Sequence, residues 1–262
     1  MESKTTKERP ILFSGDMVRA ILEGRKTHTR RIVKPQPIID EESGYVYSGD
    51  HKHMFKKCFL HSPWQNGYAL LCPYGQPGNI LYVKETWIKG HMIDENETRI
   101  GSDRYFYKAG PDIPDWHRPE LEDDHPNFLT PPWKSPRFMP KVAARIWLQV
   151  TDIRVELVQD ISKGDVISEG FACVSKDHAY CLKHAISPTW KYGLPESDGL
   201  PGAEGWQWHD WEVNPVDAYR KLWSKINGAE SWGTNPWVWV ISFRVLSTTG
   251  RPAKFPALCE AL

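Results

Sequence analysis

The stretch Ala144 to Leu157 constrains the fold more than any other part of the chain. Ile146, Leu148 and Val150 alternate on one face; after Thr151-Asp152 the phase slips by one residue, and Ile153, Val155 and Leu157 take over. Period-two alternation marks a strand with one buried face. A one-residue slip inside it is the signature of a β-bulge, and bulges bend strands at barrel corners. A second long apolar run, Trp237 to Leu246, reads as a strand central in its sheet. Together they predict an α+β, mainly β chain built on a small, bent β-barrel.

Other elements attach to this frame. Ile11-Leu12-Phe13 is a short strand. Ser14 or Asp16 caps a helix whose stripe is Met17, Val18, Ile21 and Leu22, and Gly24 supplies its left-handed end. Residues 25–30 then read as a loop before extended structure resumes at Arg31-Ile32-Val33. Asn79 to Trp87 is a strand that sets Leu81, Val83 and Glu85 on one face. Arg104 to Lys108 is a further short strand. Ile161 to Glu169 reads as a helix ending at Gly170. Asn214-Pro215 opens another, with Val216, Tyr219, Leu222, Trp223 and Ile226 on its stripe and Asn227-Gly228 at its end. The whole, 1–262, reads as one domain with insertions at about 38–78, 88–136 and 171–212.

Composition narrows the class. Thirteen Trp and 21 Pro suggest a compact body with Pro-punctuated loops pinned by aromatic rings. Net charge is zero, so no global field attracts nucleic acid. Residues 1–37, however, hold nine Lys/Arg against four Asp/Glu, which fits a local basic patch around Gly24–Arg31 or a merely solvated charged turn. The polar N-terminus is not a secretory signal, and there is no apolar run long enough for a membrane span. Five scattered cysteines fit a reducing, cytoplasmic setting.

The chemistry centres on Gly24-Arg25-Lys26-Thr27-His28-Thr29-Arg30-Arg31. A Thr hydroxyl is a poor nucleophile until a neighbour takes its proton. Lys26, three residues before Thr29, can do so only when neutral, which requires its pKa to fall from ~10.4 toward ~7–8 by burial or nearby cations. Arg25, Arg30 and Arg31 supply cations. Glu85 is the candidate carboxylate, because a carboxylate on the apolar phase of a strand must be paired or functional. Arg31 can fork onto a phosphate or base carbonyl, or hold the loop in an ion pair. Tyr82 and Trp87 can stack on a base or fill core.

Gly24-x-Lys26-x-x-Thr29-x-Arg31 resembles the signature of the ASCH domain family, in the PUA-like superfamily. Ile11–Arg31, Gly78–Trp87, Phe138–Gly170 and Trp237–Arg244 also look like the corresponding stretches of phage- and prophage-encoded ASCH-like proteins. The resemblance covers about half the chain. It implies a PUA-like bent β-barrel with a cleft beside the first helix, and binding of RNA or nucleosides. Some members are amidohydrolases that deacetylate N4-acetylcytidine with a Thr, a Lys and a Glu; carried over, these are Thr29, Lys26 and Glu85. Other members are reported as nucleases or as RNA-binding modules. The resemblance implies no cofactor.

Three further signals carry less. Lys134, Arg137, Lys141 and Arg145, beside Trp133 and Phe138, suit a single-stranded nucleic-acid track or an ordinary solvated edge. Of these, Lys134 and Arg145 are taken as nucleic-acid contacts. Cys58, His61 and Cys72 with His51 and His53, and Cys173, His178, Cys181 and His184, lack the paired C-x-x-C spacing of a zinc site, so no metal is expected. Trp206, Trp208 and Trp211 read as a loop anchor. If Lys26, Thr29 and Glu85 converge in an open cleft, the enzyme reading gains. If Glu85 pairs with a distant Arg, the binding reading gains.

Overall fold

The computed structural model describes residues 7–40, 42, 45–47, 54–56, 72–93, 99–110, 132–175, 177–196, 200 and 205–256. The chain opens with strand β1 (Glu8–Leu12), helix α1 (Gly15–Leu22) and strand β2 (His28–Ile32). Strands β3 (Ile38–Asp40), β4 (Tyr45–Tyr47) and β5 (Met54–Lys56) form a small antiparallel sheet of their own. β6 (Ile80–Lys84) precedes a hairpin of β7 (Trp87–Ile93) and β8 (Arg99–Tyr107). β9 (Trp147–Leu157) leads to helix α2 (Lys163–Ser168). After it come β10 (Ala172–Val174), helix α3 (His178–Lys183), β11 (Lys191–Gly193), helix α4 (Pro215–Asn227) and β12 (Trp237–Ser247).

The central sheet has five strands in the order β1-β6-β9-β12-β2. β1 runs parallel to β6, and the other neighbours are antiparallel. The phase slip is a register shift. Asp152 faces Ser242 and Val150 faces Phe243, which leaves Thr151 as the extra residue. Ile146, Leu148, Val150, Ile153 and Val155 are all buried on either side of it. The first seven residues of β12 are buried on both faces, as a central strand requires. The ladder does not close between β1 and β2 among the described residues. One side chain spans the gap, where Arg31 Nη2 donates to the Leu12 carbonyl at 2.6 Å.

The predicted helices form, but Ser14 holds the N-cap position of α1 without a side-chain hydrogen bond and Asp16 pairs with Arg19. Gly24 has φ +75° beyond α1 and Gly170 has φ +105° beyond α2. Asn214 caps α4 by accepting from the Val216 amide at 2.9 Å, a contact of about 1 kcal/mol. Four other expectations change. Residues 28–30 are strand, not loop, because β12 pairs with them through Ser242, Ile241 and Val240. Glu85 lies in the break between β6 and β7. The 88–136 stretch contains most of the β7–β8 hairpin, although 111–131 lies outside the described residues. The 171–212 stretch is built into the main core rather than irregular. Trp206 meets Phe171 edge-on, and Trp211 Nε1 donates to the Trp206 carbonyl at 2.9 Å, so these rings anchor the loop. Among the described residues no helix is long and apolar enough to cross a membrane.

Candidate functional site

Residues 25–27 are stitched between two helix ends. The Lys26 amide donates to the Ala20 carbonyl at 2.9 Å, and the Thr27 amide to the Ser168 carbonyl at 2.8 Å. Lys26 and Glu169 form an antiparallel bridge. This clamp requires Gly170, because a Cβ there would stand 2.8 Å from Ala20 Cβ and 3.2 Å from Lys26 Cβ.

The clamp buries Lys26 to 1% exposure and brings its Nζ to the Glu169 carboxylate at 2.6 Å and to the Glu169 carbonyl at 2.9 Å. Burial pushes the Lys26 ammonium below the ordinary lysine range, and the Glu169 carboxylate opposes that shift. Glu169 is itself held by Arg30 at 3.2 Å. Arg30 reaches on to Glu156 at 2.5 Å and Asp165 at 3.3 Å, and Arg154 binds the same two carboxylates at 3.0 and 2.7 Å. Three cations thus balance three carboxylates, the arrangement in which buried charge is tolerated. Asp165 also serves the capping box of α2 with Ser162. Its pKa falls to about 2: burial opposes the shift, and the Ser162 hydroxyl, Arg30 and Arg154 outweigh it.

Beside this network lies a cavity of about 170 Å³. Thr29, Arg31 and Glu169 line it together with Phe13 and Met17 from the α1 side and Tyr219, Leu222 and Trp223 from α4. A cavity of about 150 Å³ accommodates benzene, so this one suits a single six-membered ring. Its wall is mostly apolar. Two buried donors in the residues that line it, Arg31 Nε and Trp223 Nε1, have no hydrogen-bond partner among the described residues. A buried donor without a partner costs about 1–3 kcal/mol. A ligand acceptor would remove that cost. The Arg31 guanidinium stands 5.1 Å over the Phe13 ring, so it is held in place before any ligand arrives.

The expected site residues separate into groups. Lys26, Thr29 and Arg31 come together at the cavity and its network. Glu85 does not join Lys26; it is 1% exposed and paired with Arg145 by two bonds of 2.9 and 3.0 Å. It is turned inward, as the phase of Leu81 and Val83 predicts, but its partner is a distant Arg. That also removes Arg145 as a nucleic-acid contact. Burial raises the Glu85 pKa, and Arg145 opposes this. Arg25 binds Glu23 and the Gly170 carbonyl; Arg30 also lines the cavity, with its guanidinium held by Glu156, Asp165 and Glu169. Tyr82 and Trp87 do not face the cavity. They belong with Trp147 and Met139 to a second apolar cluster. Lys134 is exposed, with its Nζ 5.1 Å over the Trp87 ring.

Glu169 and the α4 wall were missed. The helix end at Gly170 was legible, but not the inward turn of the carboxylate just before it. A buried Lys needs a buried partner, and Glu169 was the other carboxylate placed at a glycine-ended turn. Cys58, His61, His51 and His53 lie outside the described residues. Among those described, no group of three His, Cys, Asp or Glu is placed to hold a metal. No family model, curated protein or solved structure matches the chain.

Proposed function

We propose that the chain is an amidohydrolase that removes the acyl group from an N4-acylated cytidine-type nucleoside, on an ASCH-type, PUA-like bent barrel. The observation that carries this reading is the buried Lys26–Glu169 pair set against a ring-sized cavity lined by Thr29. Thr29 Oγ attacks the acyl carbon while Lys26 takes the hydroxyl proton. Glu169, which bonds Lys26 and lines the cavity, passes that proton to the departing N4 amine. Water then cleaves the acyl-Thr29 ester to release a carboxylic acid and regenerate the hydroxyl. Arg31 Nε and Trp223 Nε1 are the donors for the carbonyl and ring nitrogen of the base. The role given to Glu85 in the sequence passes to Glu169.

Incubation of the purified protein with N4-acetylcytidine, followed by its ultraviolet spectrum, tests the reading. The expected result is conversion to cytidine by the wild type and none by Thr29→Ala. Absence of turnover in the wild type, or full turnover by the variant, removes it. Two observations favour a second reading, a non-catalytic module that only binds the base. Glu85 is paired with Arg145, and the Lys26 ammonium makes two bonds to Glu169 and does not line the cavity. That reading expects N4-acetylcytidine to bind unchanged, with affinity lost in Arg31→Ala.

A further inference from the structure

A cavity sized for one ring leaves the sugar and everything attached to it outside. Two large apolar lining residues are exposed and mark the cavity's rim, Leu12 at 45% and Ile226 at 56%, and the Leu12 side leads to a basic surface. Across the β1–β6 ladder Leu12 stands opposite Lys84, whose Nζ donates to the Arg137 carbonyl at 2.6 Å. The next residue, Phe138, is 73% exposed, and Val142 is 79% exposed.

This surface is rigid from beneath. Pro132, Pro136 and Pro140 limit the backbone, Ser135 caps the turn by accepting from the Arg137 amide, and the Met139 sulfur takes the Glu85 amide at 3.3 Å. The Phe138 ring is therefore presented outward on a fixed support. It is flanked by cations. Arg137 and Lys134 are exposed, and Lys84 is half-buried. Lys141 is paired with Glu8. No Asp or Glu occurs between residues 132 and 151. Among the described residues Arg137, Lys134 and Lys84 have no carboxylate partner, and an outward aromatic ring among such cations has the chemistry of a stacked base with phosphates on either side.

We propose that residues 134–142, with Lys84, form a docking surface for single-stranded nucleic acid, so that the cavity receives one base of a strand rather than a free nucleoside. The proposal rests on the cavity's taking a base. In it Phe138 stacks on the neighbouring base, and Arg137, Lys134 and Lys84 contact phosphates.

Fluorescence anisotropy of a labelled oligocytidylate, as RNA and as DNA, with the full chain at several salt concentrations tests it. The wild type is expected to bind with salt-dependent affinity. Phe138→Ala should weaken binding about 10-fold, the scale of one lost stacked base. Arg137→Ala should flatten the slope of log affinity against log salt by about 0.7, one phosphate contact on a single strand. Both positions are exposed, so both variants should melt like the wild type and process N4-acetylcytidine at the wild-type rate. Tighter binding of the RNA arm assigns the ribose hydroxyl a role, and equal binding assigns the shared backbone and bases; either outcome supports the surface. Failure of the wild type to bind either strand, or undiminished binding by Phe138→Ala, overturns the proposal while leaving the nucleoside reading intact. Phe138-dependent strand binding without any action on the nucleoside removes the deacylation chemistry instead and leaves the surface standing.

Discussion

In the proposed deacylation, Lys26 is the residue on which the chemistry turns. It is buried, bonded to Glu169 and deprived of water, so its amine is reached at a lower pH than that of a free lysine. If it is the base, deacylation should rise with pH through an ionisation below the usual lysine value of 10.5 and level off above it. A pH–rate profile of kcat/KM checks this, and a flat profile argues against Lys26. Two carboxylates separate catalysis from architecture. Glu169→Gln should lower kcat/KM by about 100-fold, the lower range for loss of an acid–base group. Glu85→Gln should leave kcat/KM unchanged, because Glu85 serves Arg145. Its structural role is read from Arg145→Ala, which leaves a carboxylate of 1% exposure without its partner. That substitution should cost about 3 kcal/mol, measured by urea unfolding.

At the scale of elements, the site depends on where helices end. Gly24 and Gly170 both have positive φ, but only Gly170 is crowded. Gly24→Ala should cost about 1 kcal/mol for the left-handed backbone alone. Gly170→Ala adds the clash with Ala20 and Lys26, and should cost about 3 kcal/mol, the upper end for a strained position. It should also lower deacylation, since it separates Lys26 from Glu169. Denaturant midpoints and turnover of the two variants test both expectations together. Strand β2 contributes differently. Its pairing with β12 extends the backbone through Thr29, so Thr29 and Arg31 project from the same side of a strand. A loop would hold them less firmly.

Across the whole molecule, the charge network couples α2, β2 and β9. Asp165 titrates at about 2 instead of 3.8 because Ser162, Arg30 and Arg154 favour its charged form over the cost of burial. A depressed pKa contributes stability that is present above 3.8 and is lost as pH falls toward about 2. The difference in melting temperature between wild type and Asp165→Asn should therefore be largest near neutrality and shrink across that acid window. A difference independent of pH would mean that Asp165 acts only as a helix cap. The same network fixes Glu169 in the cavity wall, so acid should erode the site and the fold together.

Much of the frame was determined by local order in the chain. The phase slip at Thr151, the caps at Gly24, Gly170 and Asn214, and the burial of Trp237 to Phe243 follow from periodicity and turn chemistry, which act over a few residues. The Lys26–Thr29–Arg31 segment stood out by its residue types, but its backbone was not legible, because residues 28–30 become strand only through pairing with β12. Partners were decided by tertiary structure alone. Glu85 and Glu169 are both carboxylates on inward-facing positions, and nothing nearby in sequence separates them. Arg145, 60 residues from Glu85, takes the first, and Lys26, 143 residues from Glu169, takes the second. Buried charges pair with whatever counter-charge the fold brings within reach, and that distance is set by how β6, β9 and the two helix ends pack. The α4 wall has the same origin. Its apolar stripe was visible in the sequence, and only its packing beside β2 made that stripe one side of a cavity.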